Sequence, residues 1–382
     1  METASVVVIG AGVIGLSIAG QLAERGVGRV VVLEKELAAG WGETSRCTGA
    51  IRHQFSSAIN VLLTRLSLPF FAALEEDTGA PVEFEQNGYL MVTSQAARLA
   101  EFKANLELQR RLSVSSHLLS PPQIAELFPL LHTEDLAGGT YCPADGQASP
   151  DGVVQGLVRR LVRHRAHLLT SEEVGEIRML KDKSFVVASK RRRFSTPRLI
   201  IAAGPWSAGI GRLMGIELPV SVHPRQVFVI DKLASLNFSI PFVVDLDTGW
   251  YLHRTRGGQL VTGGTDKDCQ PQWSTAVDWS KLDTLIKAAT ARLPAMEEAV
   301  VTSAYVGLRS VSPDYHAILG EDPATPGLYW AAGFSGHGFM HAPAVGQLLA
   351  ELVTDGRTSL DLQCLSPERF HKNALSMETC IF

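Results

Sequence analysis

Residues 10–15 read Gly10-Ala11-Gly12-Val13-Ile14-Gly15, a G-x-G-x-x-G, and Glu34 with Lys35 closes the next apolar run. In that spacing each glycine has its own task. Gly10 permits a tight turn, Gly12 lets a pyrophosphate approach the backbone, and Gly15 lets a helix close on a strand. The start of that helix offers free N–H groups and a partial positive charge to the phosphates. Glu34 can accept hydrogen bonds from ribose hydroxyls, and its charge repels a 2′-phosphate. The motif fits FAD and NAD equally.

A second glycine-rich stretch separates the two. Gly333-Phe334-Ser335-Gly336-His337-Gly338-Phe339-Met340 runs into an apolar helical pattern. Such a loop brings backbone against a flat ligand, and the helix start favours negative charge there. Reduced flavin is anionic around N1 and the C2 carbonyl, so this arrangement favours electron uptake. A loop that only caps its helix is the plainer reading. No Ser/His/Asp triad or metal-ligand spacing competes, and no metal is expected.

These loops need elements to hold them. Residues 5–9 (SVVVI) have the pattern of a strand buried on both faces, residues 13–25 carry helical spacing, and residues 29–34 (RVVVLE) return to a strand. The first motif therefore sits in a right-handed βαβ unit. Asn87-Gly88 between β-rich flanks predicts a hairpin over 83–93. Helices are predicted over 95–112, from Ser149-Pro150-Asp151 to about residue 165, over 281–293 and over 342–353, the last amphipathic. Strands are predicted over 184–189, 198–203 and in several runs of 225–264. Lys190-Arg191-Arg192-Arg193 reads as a solvated hairpin tip. The α/β rhythm at both ends and the β-rich middle predict an α/β fold with a discontinuous Rossmann-like domain (1–82, 145–220 and 303–382). A second domain is inserted as 83–144 and 221–302.

With 382 residues, 46% hydrophobic and 19% charged, the chain has enough apolar mass for two cores, which excludes a disordered or disulfide-stapled class. A net charge of −4 gives no reason to expect nucleic acid as a partner. Five scattered cysteines with no C-x-x-C pair predict reduced thiols and a cytoplasmic location. Residues 4–20 are apolar but lack a basic flank and a cleavage motif, and no other stretch looks long enough to span a bilayer, so no membrane span is expected.

The chain resembles, nearly end to end, the D-amino-acid oxidase/glycine oxidase/sarcosine oxidase (DAO) group of FAD enzymes. The marks are GAGVIG at 10–15, Thr44-Ser45-Arg46-Cys47-Thr48-Gly49-Ala50-Ile51-Arg52-His53, Leu199-Ile200-Ile201-Ala202-Ala203-Gly204-Pro205-Trp206-Ser207, Gly307-Leu308-Arg309 with Pro313-Asp314, and GFSGHGFM at 333–340. The resemblance implies a DAO-type fold, with a Rossmann-like FAD domain and an inserted antiparallel-sheet α+β substrate domain. It implies that residues 44–51 line the pyrophosphate and flavin ring, that Val174 meets the adenine through its backbone, and that Ala203, Gly204 and Trp206 pass near the ADP half. The pattern is more similar to glycine oxidase and to the β-type subunits of sarcosine-, proline- and opine-oxidising complexes than to monomeric sarcosine oxidase. Met340 stands where monomeric sarcosine oxidase has a carboxylate-binding lysine, and Gly307 where it has a flavin-linking cysteine. The implied FAD is noncovalent.

By the same resemblance Arg309 binds the substrate carboxylate, for which the two-pronged guanidinium is the best-fitting partner. The alternative is a structural ion pair. Arg52 is a second candidate, or a wall residue paired with an acid. Tyr251 is expected to cover the pocket, or to be an ordinary sheet aromatic. His337 is expected to contact the flavin, or to be satisfied structurally. The implied reaction is oxidation of a small amino acid or N-substituted amino acid by hydride transfer to flavin N5, giving an imine that hydrolyses, with oxygen or another electron acceptor. A 2-hydroxy-acid oxidoreductase is the alternative and would need His337 or His253 as base. A partner-dependent FAD-binding subunit or assembly factor is another, and assembly with like or unlike chains is left open.

Overall fold

The apolar run after Ser5 forms the strand Val6–Ile9, with all four residues buried. The chain turns at Gly10, enters the helix Val13–Glu24 and returns as the buried strand Val30–Leu33, parallel to the first. This βαβ unit starts a six-stranded sheet in the computed structural model, which describes residues 1–265 and 269–381. Its strand order is Ile318–Glu321, Leu328–Ala332, Leu199–Ile201, Val6–Ile9, Val30–Leu33 and His167–Leu169. The pairing is parallel except between the first two.

The helix Val13–Glu24 crosses the helix Gly338–Asp355 closely, because a Cβ on Gly346 would stand 2.7 Å from the Ser17 carbonyl. Leu16, Ile18 and Leu22 of the one helix and Val345, Leu348 and Leu349 of the other are buried in one core. Each such side chain contributes roughly 1.5–3 kcal/mol when fully buried. The later helix is predicted as amphipathic from residue 342. It instead begins at Gly338 and is buried almost all round, because it runs through the core rather than over it.

An eight-stranded sheet faces this unit. Its order is Val301–Val311, Ser221–Ile230, Leu260–Gly264, Trp250–Arg254, Phe242–Asp245, Tyr89–Thr93, Gly138–Cys142 and His117–Leu119. The pairing is antiparallel except between Phe242–Asp245 and Tyr89–Thr93. A smaller sheet joins Glu2–Thr3 to Arg193–Thr196, Phe185–Ser189 and Val174–Met179, with residues 190–192 exposed at the hairpin tip as expected. The helix Pro150–Arg163 starts at Ser149, whose Oγ accepts from Gly152 N at 3.2 Å.

Two expectations fail. Asn87-Gly88 is not a hairpin turn. Tyr89–Thr93 pairs with Gly138–Cys142, and the Gly88 N–H donates to the Asp145 carbonyl at 2.9 Å. Gly88 is at φ +84°, and the Tyr141 ring fills the space a Cβ would need. The helix Ala58–Thr78, absent from the sequence reading, is long and apolar enough to cross a membrane by length and composition. Here Ile59, Val61, Leu63, Phe71 and Leu74 are buried in the same core as the two crossing helices. Residues 4–20 are split between strand, turn and helix.

Candidate functional site

A cavity of about 360 Å³ runs from Glu34 and Val174, past the glycine turn, to Arg309 on the eight-stranded sheet. The turn that floors it is set by packing. A Cβ on Gly10 (φ +103°) would meet the Ala202 carbonyl oxygen at 2.4 Å, and one on Gly15 would meet that of Gly10 at 2.0 Å. Gly12 is different. Among the described residues beyond its chain neighbours, only Thr44 Oγ1, at 3.2 Å, lies within 4 Å of its Cβ position, so protein packing does not demand a glycine there. The space is open on the cavity side, as a phosphate approach requires.

Side chains hold the turn from two directions. Glu34 Oε2 accepts from Ala11 N at 2.7 Å and its Oε1 from Glu36 N at 2.9 Å. Glu34 thus ties the turn to the end of the neighbouring strand and keeps lone pairs for ribose hydroxyls. Thr44 Oγ1 accepts from Val13 N at 3.0 Å, capping a helix whose own cap residue, Gly12, has no side chain. Thr44 opens the stretch expected to line the flavin, but its part as a helix cap is not legible from the motif. The signal that could have found it is a hydroxyl residue near a helix that starts without a capping side chain.

The second glycine loop is also built by constraint. Gly333 (φ +63°), Ser335 (φ +52°) and Gly336 (φ +93°) are all left-handed. For Ser335 this conformation is costly, and hydrogen bonds hold it. Its N donates to the Ser310 carbonyl at 2.8 Å. Its Oγ donates to the Gly333 carbonyl at 3.1 Å and accepts from Ser312 N at 3.2 Å. The helix then begins at Gly338.

Most of the expected cofactor residues line the cavity, namely Gly10, Gly12, Val13, Ile14, Glu34, Lys35, Arg46, Cys47, Thr48, Ala50, Val174, Ala203, Gly204, Trp206 and Ser335 through Met340. Lys35 Nζ lies 3.6 Å from the centre of the Trp206 ring. Burial pushes the Cys47 thiol up to about 11, so it stays protonated. Five expected residues lie outside the lining. Gly15 and Gly333 serve packing, Gly49 abuts the Ala148 carbonyl, Ser45 is exposed with Oγ donating to Gly42, and Ile51 is in the core.

One face of the eight-stranded sheet walls the cavity at its Arg309 end. Val244, Tyr251, Gly263 and Val227 sit opposite one another across four strands. Gly263 makes room for the Tyr251 phenol, since a Cβ there would lie 2.4 Å from its oxygen. Burial and the neighbouring Tyr305 push the phenol up, keeping it a neutral donor. Phe242 stacks on Tyr89 at 4.5 Å and on Tyr251 at 5.8 Å, which makes an aromatic wall.

Arg309 also lines the cavity, and burial together with the charges of Arg225 and Arg52 brings it down to about 10, still cationic at neutral pH. Arg52 lines the cavity as well. Its guanidinium donates to the carbonyl oxygens of Gln54 and, at 2.8 Å, Cys380, and lies 3.9 Å from the Phe55 ring centre. His337 is buried edge-on against Phe55 at 4.8 Å, and burial with the charge of Arg52 holds it neutral. His253 is not in the cavity lining. Its Nδ1 donates to Gln147 Oε1 at 2.6 Å, and burial pushes it down to about 3.

Among the described residues His53, Cys142 and Asp145 are close enough to hold a metal. Asp145 instead spends its oxygens on the His53 backbone N (2.8 Å), His53 Nδ1 (2.6 Å) and Gln54 Nε2 (3.2 Å). This is a hydrogen-bonded knot tying residues 53–54 to the 142–145 turn.

The family model described as DAO, FAD dependent oxidoreductase, matches residues 5–352. The chain belongs to this family. It is 31% identical over 97% of its length to the mitochondrial sarcosine dehydrogenase of Mus musculus, of which it covers 42%. The chain thus spans less than half the length of that relative. Among solved structures it is similar to the L-proline dehydrogenase from P.horikoshii (TM-score 0.93, 29% identity, 98% of this chain and 100% of that one). It is also similar to the glycine oxidase from Geobacillus kaustophilus (TM-score 0.87, 27% identity, 97% and 99%). The DAO-type fold is therefore shown, and FAD is the cofactor of the family. The open flank of Gly12, the acceptor at Glu34 and the length of the cavity fit that group.

Proposed function

We propose that the chain oxidises a small amino acid or an N-substituted amino acid with FAD. The observation that carries this reading is Arg309, a half-buried cation lining the same cavity as the glycine turn and seated against the backbone of Gly336. Bound FAD supplies a two-electron acceptor. The chain supplies the rest. Arg309 binds the carboxylate with charge-assisted bonds and the Tyr251 phenol adds a neutral donor. The wall of Tyr89 and Phe242 packs against apolar substituents. Catalysis of this kind is positioning and electrostatics, with no residue asked for a strong base.

The relatives support the reading, since their names give sarcosine, L-proline and glycine as substrates. The histidines argue against a hydroxy acid. Proton abstraction from an alcohol needs a base matched to the working pH, and burial depresses both His253 and His337. All five cysteines are free, which supports a reducing, cytoplasmic setting.

Anaerobic titration of the purified flavoprotein tests the reading, with sarcosine, dimethylglycine, glycine, both prolines, D-alanine, an opine and 2-hydroxyglutarate. Bleaching of the flavin band by an amine is the expected result, and readmitted air then tells oxygen from another acceptor. Bleaching by the hydroxy acid alone overturns the reading. A yellow protein that nothing bleaches points to a partner-dependent subunit.

A further inference from the structure

Glu43 belongs to none of the sequence motifs, yet it lines the cavity. It lies in the loop that follows the strand Val30–Leu33. The near side of this loop is fixed to the glycine turn. Gly40 N donates to the Ala11 carbonyl at 2.9 Å, and Thr44 Oγ1 accepts from Val13 N at 3.0 Å. A Cβ on Gly40 would meet Val154 of the helix Pro150–Arg163 at 2.8 Å, so the base of the loop is packed tightly.

The far side of the loop reaches the other half of the fold. Glu43 Oε2 accepts from the backbone N of Leu308, in the strand Val301–Val311. That strand is an edge of the eight-stranded sheet. Edge strands carry N–H groups that no ladder satisfies, and Glu43 satisfies this one. Arg46 Nη1, 3.4 Å from Glu43 Oε1, orients the carboxylate. The loop also lies against the strand, since Glu43 Oε2 and the Cβ and carbonyl oxygen of Arg46 each border the Cβ position of Gly307 at 3.4 Å.

Gly42 to Thr44 and Arg46 to Thr48 form one wall of the cavity, and Gly307 to Ser310 belong to another. The bond from Leu308 to Glu43 joins the two. A carboxylate has the wrong charge to hold a diphosphate, and both of its oxygens here are turned to protein donors. Burial raises the Glu43 carboxyl above its usual range, and the Leu308 N–H, Arg46 and Lys35 oppose that shift.

We propose that Glu43 is a clasp that holds the cavity closed over FAD, so that its bond to Leu308 must break each time the cofactor enters or leaves. The proposal concerns the cofactor, and it stands whichever donor the flavin oxidises. Both partners of the bond belong to the protein, so the bond forms with or without FAD. Entry and exit are then each slowed by the fraction of time the clasp is shut. Loss of the clasp speeds both, and the dissociation constant, which is their ratio, hardly moves.

The test compares the wild-type chain with Glu43→Ala, Glu43→Gln and Ser45→Ala. Entry is read from the change in flavin fluorescence when apoprotein meets FAD. Exit is read from the exchange of bound FAD for isotope-labelled FAD in the holoprotein. In Glu43→Ala both rates are expected to rise about tenfold to a hundredfold, the range of one charge-assisted hydrogen bond. Glu43→Gln keeps the shape and an acceptor but loses the charge, so both of its rates are expected to lie between. Ser45 is exposed, and Ser45→Ala removes only the bond to the Gly42 carbonyl within the same loop. Its rates are expected to match the wild type. The glutamine variant carries the test if Glu43→Ala does not fold.

Unchanged rates in both Glu43 variants overturn the proposal. Faster exit with unchanged entry does so too, and makes Glu43 a contact to the cofactor rather than a clasp. Equal acceleration in Ser45→Ala overturns it by assigning the effect to the loop as a whole. Apoprotein Tm is read in parallel, and a Tm that falls in step with the rates overturns it by showing a loosened fold.

Discussion

A Cβ on Gly336 would lie 2.9 Å from both Cζ and Nε of Arg309. The second glycine loop and the candidate carboxylate anchor therefore form one unit. The backbone of Gly336 is the surface on which the guanidinium rests, and its φ of +93° is open to glycine at no steric cost. Gly336→Ala would strain the loop and push the fork aside. We expect KM for a carboxylate substrate to rise about tenfold or more, since displacing a charge-assisted contact costs about 1.5–3 kcal/mol. Steady-state kinetics that separate KM from kcat would check this. An unchanged KM would show that the fork does not bind the carboxylate.

Removing the anchor itself should cost more. Arg309→Met is expected to lower kcat/KM for carboxylate-bearing amines by about 100-fold or more, while Arg309→Lys retains part of the activity as a point charge without the fork. An amine of matched shape without a carboxylate should lose far less. Equal losses on both substrates would mean that Arg309 only supports the fold.

Two glycines of the first motif should behave differently. Gly15→Ala places a methyl 2.0 Å from the Gly10 carbonyl oxygen and should destabilise the apoprotein by several kcal/mol. Gly12→Ala meets one protein atom, Thr44 Oγ1 at 3.2 Å, so the apoprotein should keep its Tm within a few degrees while FAD affinity drops about tenfold or more. Apoprotein melting paired with FAD titration would decide. A Gly12→Ala chain as unstable as Gly15→Ala would show that Gly12 serves packing.

Glu378 accepts from the backbone N and Oγ of both Ser56 and Ser57 and from Asn60 Nδ2 at 3.0 Å. It caps the helix Ala58–Thr78 from more than three hundred residues away. Burial raises its pKa, but the bonds from Ser56 and Ser57 outweigh this and hold the carboxyl below its usual range. Glu378→Ala leaves those donors unmatched and should cost about 2–4 kcal/mol in urea unfolding. A loss below about 0.5 kcal/mol would mean that the cap is idle.

Acid should destabilise the protein through buried histidines. Burial pushes both His253 and His341 from 6.5 to about 3. Each is neutral when folded and takes up a proton when unfolded below pH 6.5. Their contribution is therefore fully present above pH 6.5 and is lost as pH falls from there towards 3, by up to about 1.4 kcal/mol per unit for each. Tm measured from pH 7.5 to 5 should fall, and His341→Gln should flatten the slope. An equal slope in that variant would contradict the assignment.

Much of the nucleotide half was legible in the sequence. Val6–Ile9 and Val30–Leu33 read as buried strands because unbroken β-branched runs suit a sheet covered on both faces, and the glycines between them have few structural uses. Asn87-Gly88 misled for a related reason. A local turn signal cannot show that the Tyr141 ring and the Asp145 carbonyl already determine the path of Gly88. Arg52 was legible as an arginine near the flavin-lining stretch. Its engagement by Cys380 was not, since that contact spans almost the whole chain.

The βαβ unit, the family and Arg309 as a candidate carboxylate anchor are legible in the sequence, because each rests on a motif of a few consecutive residues. The tertiary structure decided which distant residues share a surface. Arg225 meets Arg309 only through the register between two strands some eighty residues apart, and a slip of one residue would turn Arg225 to the opposite face. Glu34 and Thr44 support the glycine turn, and Glu378 caps a helix, through bonds whose partners no local pattern names. Register and capping across such distances depend on packing between layers of the fold.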